Sequence, residues 1–365
     1  MSKVSDFKNI LVYRIGHLGD TLVALPAFWA IRKAFPSARL TLLTNASSQN
    51  PNYVMARSVL PAENLFDDWL TYPTDLSKTR SFLAFGELLL KLKKKKFDCL
   101  IYLTTRNRTE SQIKRDVNFF RLAGIKRIIG TEYLLQNIIK PNPERPLPIL
   151  ESEQEYLLKC LSAEQIPVNG NIPSKMALTE NEKEIAEKWL RENCGDFFTK
   201  NDLVAVAPAS KWESKVWAEE RFEEVISGLI AQKDIFPVVF GGSEDREKGE
   251  RLIKKWKRGA NAAGKLNIRE AAAALEKCKL YLGNDTGTMH LAASVETPCV
   301  AIFAAIDYAG RWYPQGSGHK IFRETVECEA CYAPVCFNNR KCLDAVGVEE
   351  VYRAALEILE SDKKR

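Results

Sequence analysis

The stretch Leu280–Phe303, LYLGNDTGTMHLAASVETPCVAIF, constrains the fold more than any other part of the chain. It opens as an apolar strand at Leu280–Leu282, breaks at Gly283, and runs through Asn284, Asp285, Thr286, Gly287 and Thr288 into helical spacing over Met289–Val295. Thr297 and Pro298 close that helix, and Cys299–Phe303 reads as a second strand. Strand, glycine loop, helix and strand in this order make a βαβ unit. The start of its helix points unpaired N–H groups at the C-terminal edge of a parallel sheet, a seat for phosphate. Asp285 and the threonines are suited to cap the helix, and Gly287 lets a ligand approach the backbone. A capped βαβ turn with no ligand carries the same signature.

The remainder of the chain repeats this pattern. Ile10–Arg14 is a strand, Gly16-His17-Leu18-Gly19-Asp20 a glycine loop, Thr21–Phe35 a helical stretch and Leu40–Thr44 the next strand. Pro26 either opens the main helix in its first turn or kinks one longer helix. A helix over Phe82–Leu92 and a strand over Asp98–Leu103 lead to the loop Thr104–Arg108. The second half restarts with the strand Leu203–Ala207, the loop Pro208–Trp217 and a helix from Glu219. The strand Phe236–Phe240 follows and ends in Gly241-Gly242-Ser243-Glu244; a charged helix then runs to Lys257 and another spans Ile268–Lys277. A chain of 365 residues is too long for one ordinary core. The proline- and charge-rich segment from Pro141 to Pro173 predicts a first domain over 1–172 and a second over 173–345. A closing helix in 346–365 is expected to pack back across the first domain.

Several side chains have two readings each. Asp20 is either a helix N-cap or, at the C-terminal end of the first strand, a general base facing a ligand. Arg106 and Arg108 suit an anionic acceptor or are solvated. Lys215 neutralises a diphosphate without a metal ion or is an exposed lysine. Convergence of the loops at Ser210, Gly241 and Asp285 on one sheet edge favours the ligand role. The run Lys93–Lys96 complements a helix C-terminus as a solvated face, or touches anionic lipid. Cys328, Cys331, Cys336 and Cys342 form C-x2-C-x4-C-x5-C, ligands for a structural zinc or iron, or free thiols or a disulfide. His319, nine residues earlier, reads as a surface histidine. The net charge of +6 fits an anionic substrate or membrane surface and is too small to argue for nucleic acid. Nine cysteines without an apolar export segment point to a reducing cytoplasm, and the longest apolar runs are too short to cross a bilayer.

Three motifs together resemble glycosyltransferase family 9, the lipopolysaccharide heptosyltransferases. They are G-x-x-G-D with L-x-x-x-P (Gly16, Gly19, Asp20, Leu22, Pro26), S-K-x-W (Ser214, Lys215, Trp217) and D-T-G-x-x-H-L-A-A (Asp285–Ala293). The resemblance implies an α/β chain of GT-B architecture, two Rossmann-like domains with parallel sheets facing a central cleft. It further implies inverting, metal-independent transfer of a sugar from a nucleotide-diphosphate donor, typically ADP-heptose, to a lipopolysaccharide core or related glycan. The partners are then that donor, an anionic glycolipid or glycan acceptor and, peripherally, the inner membrane surface. By motif match Asp20 is the base, with Gly16 and Gly19 near the acceptor and Arg106 and Arg108 candidates to bind it. Lys215 holds the diphosphate with Ser210 nearby; Asp285, Thr286, Gly287 and His290 surround diphosphate and sugar, and Glu244 takes the ribose. No cofactor is required for catalysis. After the third motif the chain departs from the family, which more often has a glycine near Glu296 and glycine-threonine after the following strand. A nucleotide-sugar epimerase shares this architecture but needs further carboxylates near the donor sugar. The other alternative, a non-catalytic nucleotide-sugar-binding protein, loses ground because Asp20, Lys215 and Asp285 are all present.

Overall fold

The computed structural model describes residues 7–47, 53–61, 64–74, 77–139, 145–170, 172–200 and 203–361. The chain divides into two compact units, one of Met1–Leu147 with Glu151–Ser174, the other of Pro148–Leu150 with Lys175–Arg365. Of the proline-rich segment predicted as the boundary, residues 141–144 and 171 lie outside the described residues.

The first unit runs β1 (Asn9–Tyr13), α1 (Leu18–Val23), α2 (Leu25–Ala34), β2 (Arg39–Ala46), β3 (Asp68–Pro73), α3 (Lys78–Lys95), β4 (Cys99–Tyr102), α4 (Glu110–Leu122), β5 (Arg127–Ile129), α5 (Thr131–Gln136) and α6 (Glu153–Ala163). Its strands form a parallel sheet in the order β3-β2-β1-β4-β5. Ile10, Leu11 and Val12 are buried on both faces, as an unbroken apolar run in a central parallel strand requires. Pro26 is the second residue of α2, after a break at Ala24, so it opens the main helix and does not kink a longer one. At that position its missing N–H costs no hydrogen bond.

The second unit runs α7 (Glu180–Cys194), α8 (Asp196–Thr199), β6 (Leu203–Ala207), α9 (Glu219–Lys233), β7 (Phe236–Val239), α10 (Arg246–Trp256), β8 (Ala260–Asn261), α11 (Ile268–Glu276), β9 (Leu280–Asn284), α12 (Gly287–Ser294), β10 (Cys299–Ile302), β11 (Lys320–Phe322), α13 (Lys341–Asp344) and α14 (Val348–Ser361). The sheet order is β11-β10-β9-β6-β7-β8, again parallel. Val351, Ala355, Ile358 and Leu359 of α14 join the core of this unit, with Val225, Ile226 and Leu229 of α9. The closing helix therefore packs on the second unit. Its apolar stripe is matched by that of α9.

In both sheets the chain starts in the middle, builds to one side and then crosses to the other. The switch falls between β1 and β4 in the first unit and between β6 and β9 in the second. Ligands of open parallel sheets bind outside the carboxyl ends of the strands at such a point.

Candidate functional site

At the switch of the second unit, β6 releases the loop that carries Lys215 and β9 releases Asp285. Lys215 Nζ donates to Asp285 Oδ2 at 2.6 Å, and the carboxylate is nearly buried while the lysine keeps about a fifth of its surface. The ammonium also lies 5.7 Å from the centre of the Trp212 ring. One residue before Asp285, the buried Asn284 accepts the Trp217 N–H at 3.1 Å, which fastens the end of β9 to the loop that follows β6. Thr286 is the N-cap of α12 and Gly287 its first residue, so the open N–H groups of that helix start beside the pair. His290, one turn on, is buried with its ring 6.2 Å from that of Trp312.

The neighbouring loops occupy the same edge. Ser210 follows β6 and accepts the Trp212 N–H at 3.4 Å. Glu244 is exposed after β7, and its carboxylate folds so closely over Gly242 that a Cβ there would meet Oε2 at 2.3 Å. Burial, followed by the Glu244 charge, raises the pKa of Asp245, which accepts the Gly242 N–H. After β10, Asp307 accepts from Arg311, from Trp312 Nε1 at 2.9 Å and from Tyr332 Oη at 2.9 Å. This knot fixes the tryptophan that faces His290. Sequence reading missed it, although a loop after the strand next to β9 was the place to look.

In the first unit Asp20 is the third residue of α1, inside the helix, and is not its N-cap. Its Oδ2 accepts the His17 N–H at 2.9 Å, while Oδ1 lies 3.7 Å from the buried Arg14 guanidinium. Arg14 also donates to the Asp20 carbonyl and to the Leu103 carbonyl after β4, so it straddles the switch. Gly19 is the second residue of α1. Gly16 has φ +145°, and a Cβ on it would lie 2.2–2.7 Å from the Asp20 side chain. A ring of three bonds clamps that glycine: its N–H donates to Asn45 Oδ1, Asn45 Nδ2 to Tyr53 Oη, and Tyr53 Oη to the Gly16 carbonyl, at 2.8, 2.6 and 2.7 Å. Burial, with the Asp20 charge second, pushes the Tyr53 phenol up to about 12, so it stays a donor at neutral pH. Asn45 and Tyr53 went unread in the sequence because nothing local marks two side chains that act across a sheet edge.

Two further sets of predicted residues have partners of their own in the structure. Arg106 is buried, with its guanidinium 4.5 Å from the Tyr156 ring centre, its Nε donating to Glu153 and its Nη2 to the Glu151 carbonyl. It staples the loop after β4 to α6. Arg108 is bonded to Asp116, which also accepts from Tyr102 Oη at 2.8 Å and from Arg115. Arg106 is thus committed inside the unit, while Arg108 is part-buried and held by Asp116. The second set is the cysteines. Cys328, Cys331, Cys336 and Cys342 line one small cavity and are free. Cys336 Sγ accepts the Asn338 and Arg340 N–H groups at 3.4 and 3.2 Å, and Cys328 Sγ accepts Asn338 Nδ2 at 3.3 Å. Among the described residues no three His, Cys, Asp or Glu side chains come together as a metal-binding group. What the tail does is support Lys215. Ser214 donates to the Ala333 carbonyl at 2.6 Å, and its N–H to that of Pro334; the Cys336 N–H donates to Glu213. His319 is likewise more than a surface residue. It is half-buried, accepts the Cys299 N–H on Nδ1 at 3.1 Å and meets the Gln315 carbonyl through Nε2.

The family model described as glycosyltransferase family 9 (heptosyltransferase) matches residues 159–341, half of the chain, including Lys215, Glu244 and Asp285–His290. The lipopolysaccharide core heptosyltransferase OpsX of Haemophilus influenzae is 25% identical over 304 residues, covering 81% of this chain and 79% of that protein. A glycosyltransferase family 9 structure from Veillonella parvula superposes with a TM-score of 0.73 at 19% identity, over 97% of this chain and 98% of the other. The ADP-heptose lps heptosyltransferase II of E. coli superposes with a TM-score of 0.65 at 16% identity, over 97% and 99%. These two structures share the fold. Among the described residues no helix is long and apolar enough to cross a membrane.

Proposed function

We infer the reaction from one premise: the chain belongs to glycosyltransferase family 9 (heptosyltransferase). We propose that it transfers heptose from ADP-heptose, with inversion and without a metal ion, to a lipopolysaccharide core or a related anionic glycan. The donor and acceptor classes are those named for relatives of similar sequence or fold. The supporting observation is the Lys215–Asp285 pair at the switch point, beside the open start of α12. As the bond to the anomeric carbon breaks, its electron pair and a negative charge pass to the leaving diphosphate. A lysine held in place and a helix start supply counter-charge there with little reorganisation. Asp285 orients the ammonium, and the more highly charged diphosphate competes for it on binding. Thr286, Gly287 and His290 would surround the diphosphate and sugar, with Ser210 on the same edge and Glu244 at the ribose.

In the acceptor half, Asp20 would take the proton as the attacking hydroxyl oxygen bonds to the anomeric carbon. Its carboxylate is held at a helix start with one oxygen engaged by His17, and the Gly16 clamp sets its position. A single displacement from the face opposite the diphosphate inverts the centre, with no glycosyl-enzyme intermediate.

Donor binding tests this directly. ADP-heptose is expected to raise the melting temperature, and UDP- and GDP-sugars to do so far less. Lys215→Ala is expected to weaken donor binding by about 1–3 kcal/mol, the loss of a charge-assisted contact. An unchanged dissociation constant in that variant, or a preference for another nucleotide, contradicts the assignment.

A further inference from the structure

Helix α3 is apolar on two opposite sides. Leu88 and Leu92 are buried on one. Leu83 and Leu90, seven residues apart on a helix of 3.6 residues per turn, share a stripe roughly opposite them. These two are 63% and 69% exposed, and Phe82 beside them is 79% exposed. Phe85 marks the border, its ring packed on Tyr72 and Phe119. Around the outward stripe stand Arg80, Lys91, Lys93, Lys94 and, at the helix end, Lys96, all exposed and without an acidic partner among the described residues. Lys95 is tied down by Asp68, and Glu87 is the one acid in the helix.

Projecting Phe and Leu side chains ringed by exposed cations match the chemistry of an interfacial helix on anionic lipid. We propose that the outward face of α3 docks the protein on an anionic bilayer surface. Phe82, Leu83 and Leu90 enter the boundary between head groups and acyl chains, and the five cations meet lipid phosphates. A second copy fits this face poorly, since it would set one cationic ring against another. The surface goes beyond the transfer reaction and does not depend on the acceptor, because the probe membranes below carry no glycan.

The full chain is to be sedimented with phosphatidylcholine vesicles and with vesicles that also contain phosphatidylglycerol. Wild-type protein is expected to bind the anionic vesicles and to be released by salt. The double variants Leu83→Glu/Leu90→Glu and Lys93→Glu/Lys94→Glu should each lose at least about tenfold in partitioning. All four positions are exposed, and an unchanged melting curve confirms the fold. No binding by the wild type, equal binding to both vesicle types, or binding unaffected by either variant overturns the proposal. So does a dimer in sedimentation velocity that Leu83→Glu/Leu90→Glu abolishes, or binding to a single-stranded oligonucleotide but not to vesicles.

Discussion

Gly16 decides where Asp20 can be. Its φ of +145° is open to glycine and strained for other residues, and the Asp20 side chain fills the space a Cβ would need. Gly16→Ala is therefore expected to displace the carboxylate, and a misplacement of about 1 Å can cost on the order of 100-fold in turnover. Turnover should fall while the donor dissociation constant holds, because Lys215 and Asp285 lie in the other unit; wild-type turnover would remove Gly16 as a positioning residue. Residues of this kind were legible in the sequence, since a strand, a glycine loop and an acid within eleven positions are a local pattern. Arg106 was not. Its partner Glu153 lies 47 positions away, and nothing near the arginine announces that it is buried.

Between elements, much of the support comes from the segments on either side of β10. Glu296 has φ +64° at the end of α12, which explains why a glycine is expected near it: the backbone there is left-handed. Lys175 pairs with its carboxylate at 2.9 Å in place of that freedom. His319 joins the approach to β11 with the first N–H of β10, through an unprotonated Nδ1. Burial lowers its pKa from the ordinary 6.5. The unfolded chain then binds the proton more readily, so the contribution of His319 is complete above about pH 6.5 and is lost as pH falls from there toward the depressed folded value. His319→Gln can keep both hydrogen bonds without titrating. The melting temperature of the wild type should drop more steeply than that of the variant between about pH 7 and pH 5. Parallel pH curves would show that the imidazole does not couple to folding.

Across the whole molecule, several strands and helices were visible as hydrophobic periodicity, including Leu203–Ala207 to the residue, whereas the longer β3, α4 and α7 went unread. The two-residue β8 and three-residue β5 and β11 were not visible, because so few positions carry no period. Strand order is also silent in a single sequence, since β6 pairs with β9 across 76 residues from Val204 to Leu280. Yet that pairing brings Lys215 to Asp285, and the corresponding pairing of β1 with β4 places Arg14 between Asp20 and Leu103. The account rests on a division of labour, with proton removal by Asp20 and grip on the diphosphate by the second unit. Asp20→Asn tests it most directly, because the amide oxygen can still accept the His17 N–H and keep α1 in place. Turnover with ADP-heptose is predicted to fall by on the order of 10²–10⁴-fold, the usual worth of a general base, with donor affinity unchanged. Turnover close to wild type, or donor binding lost along with it, would contradict that division.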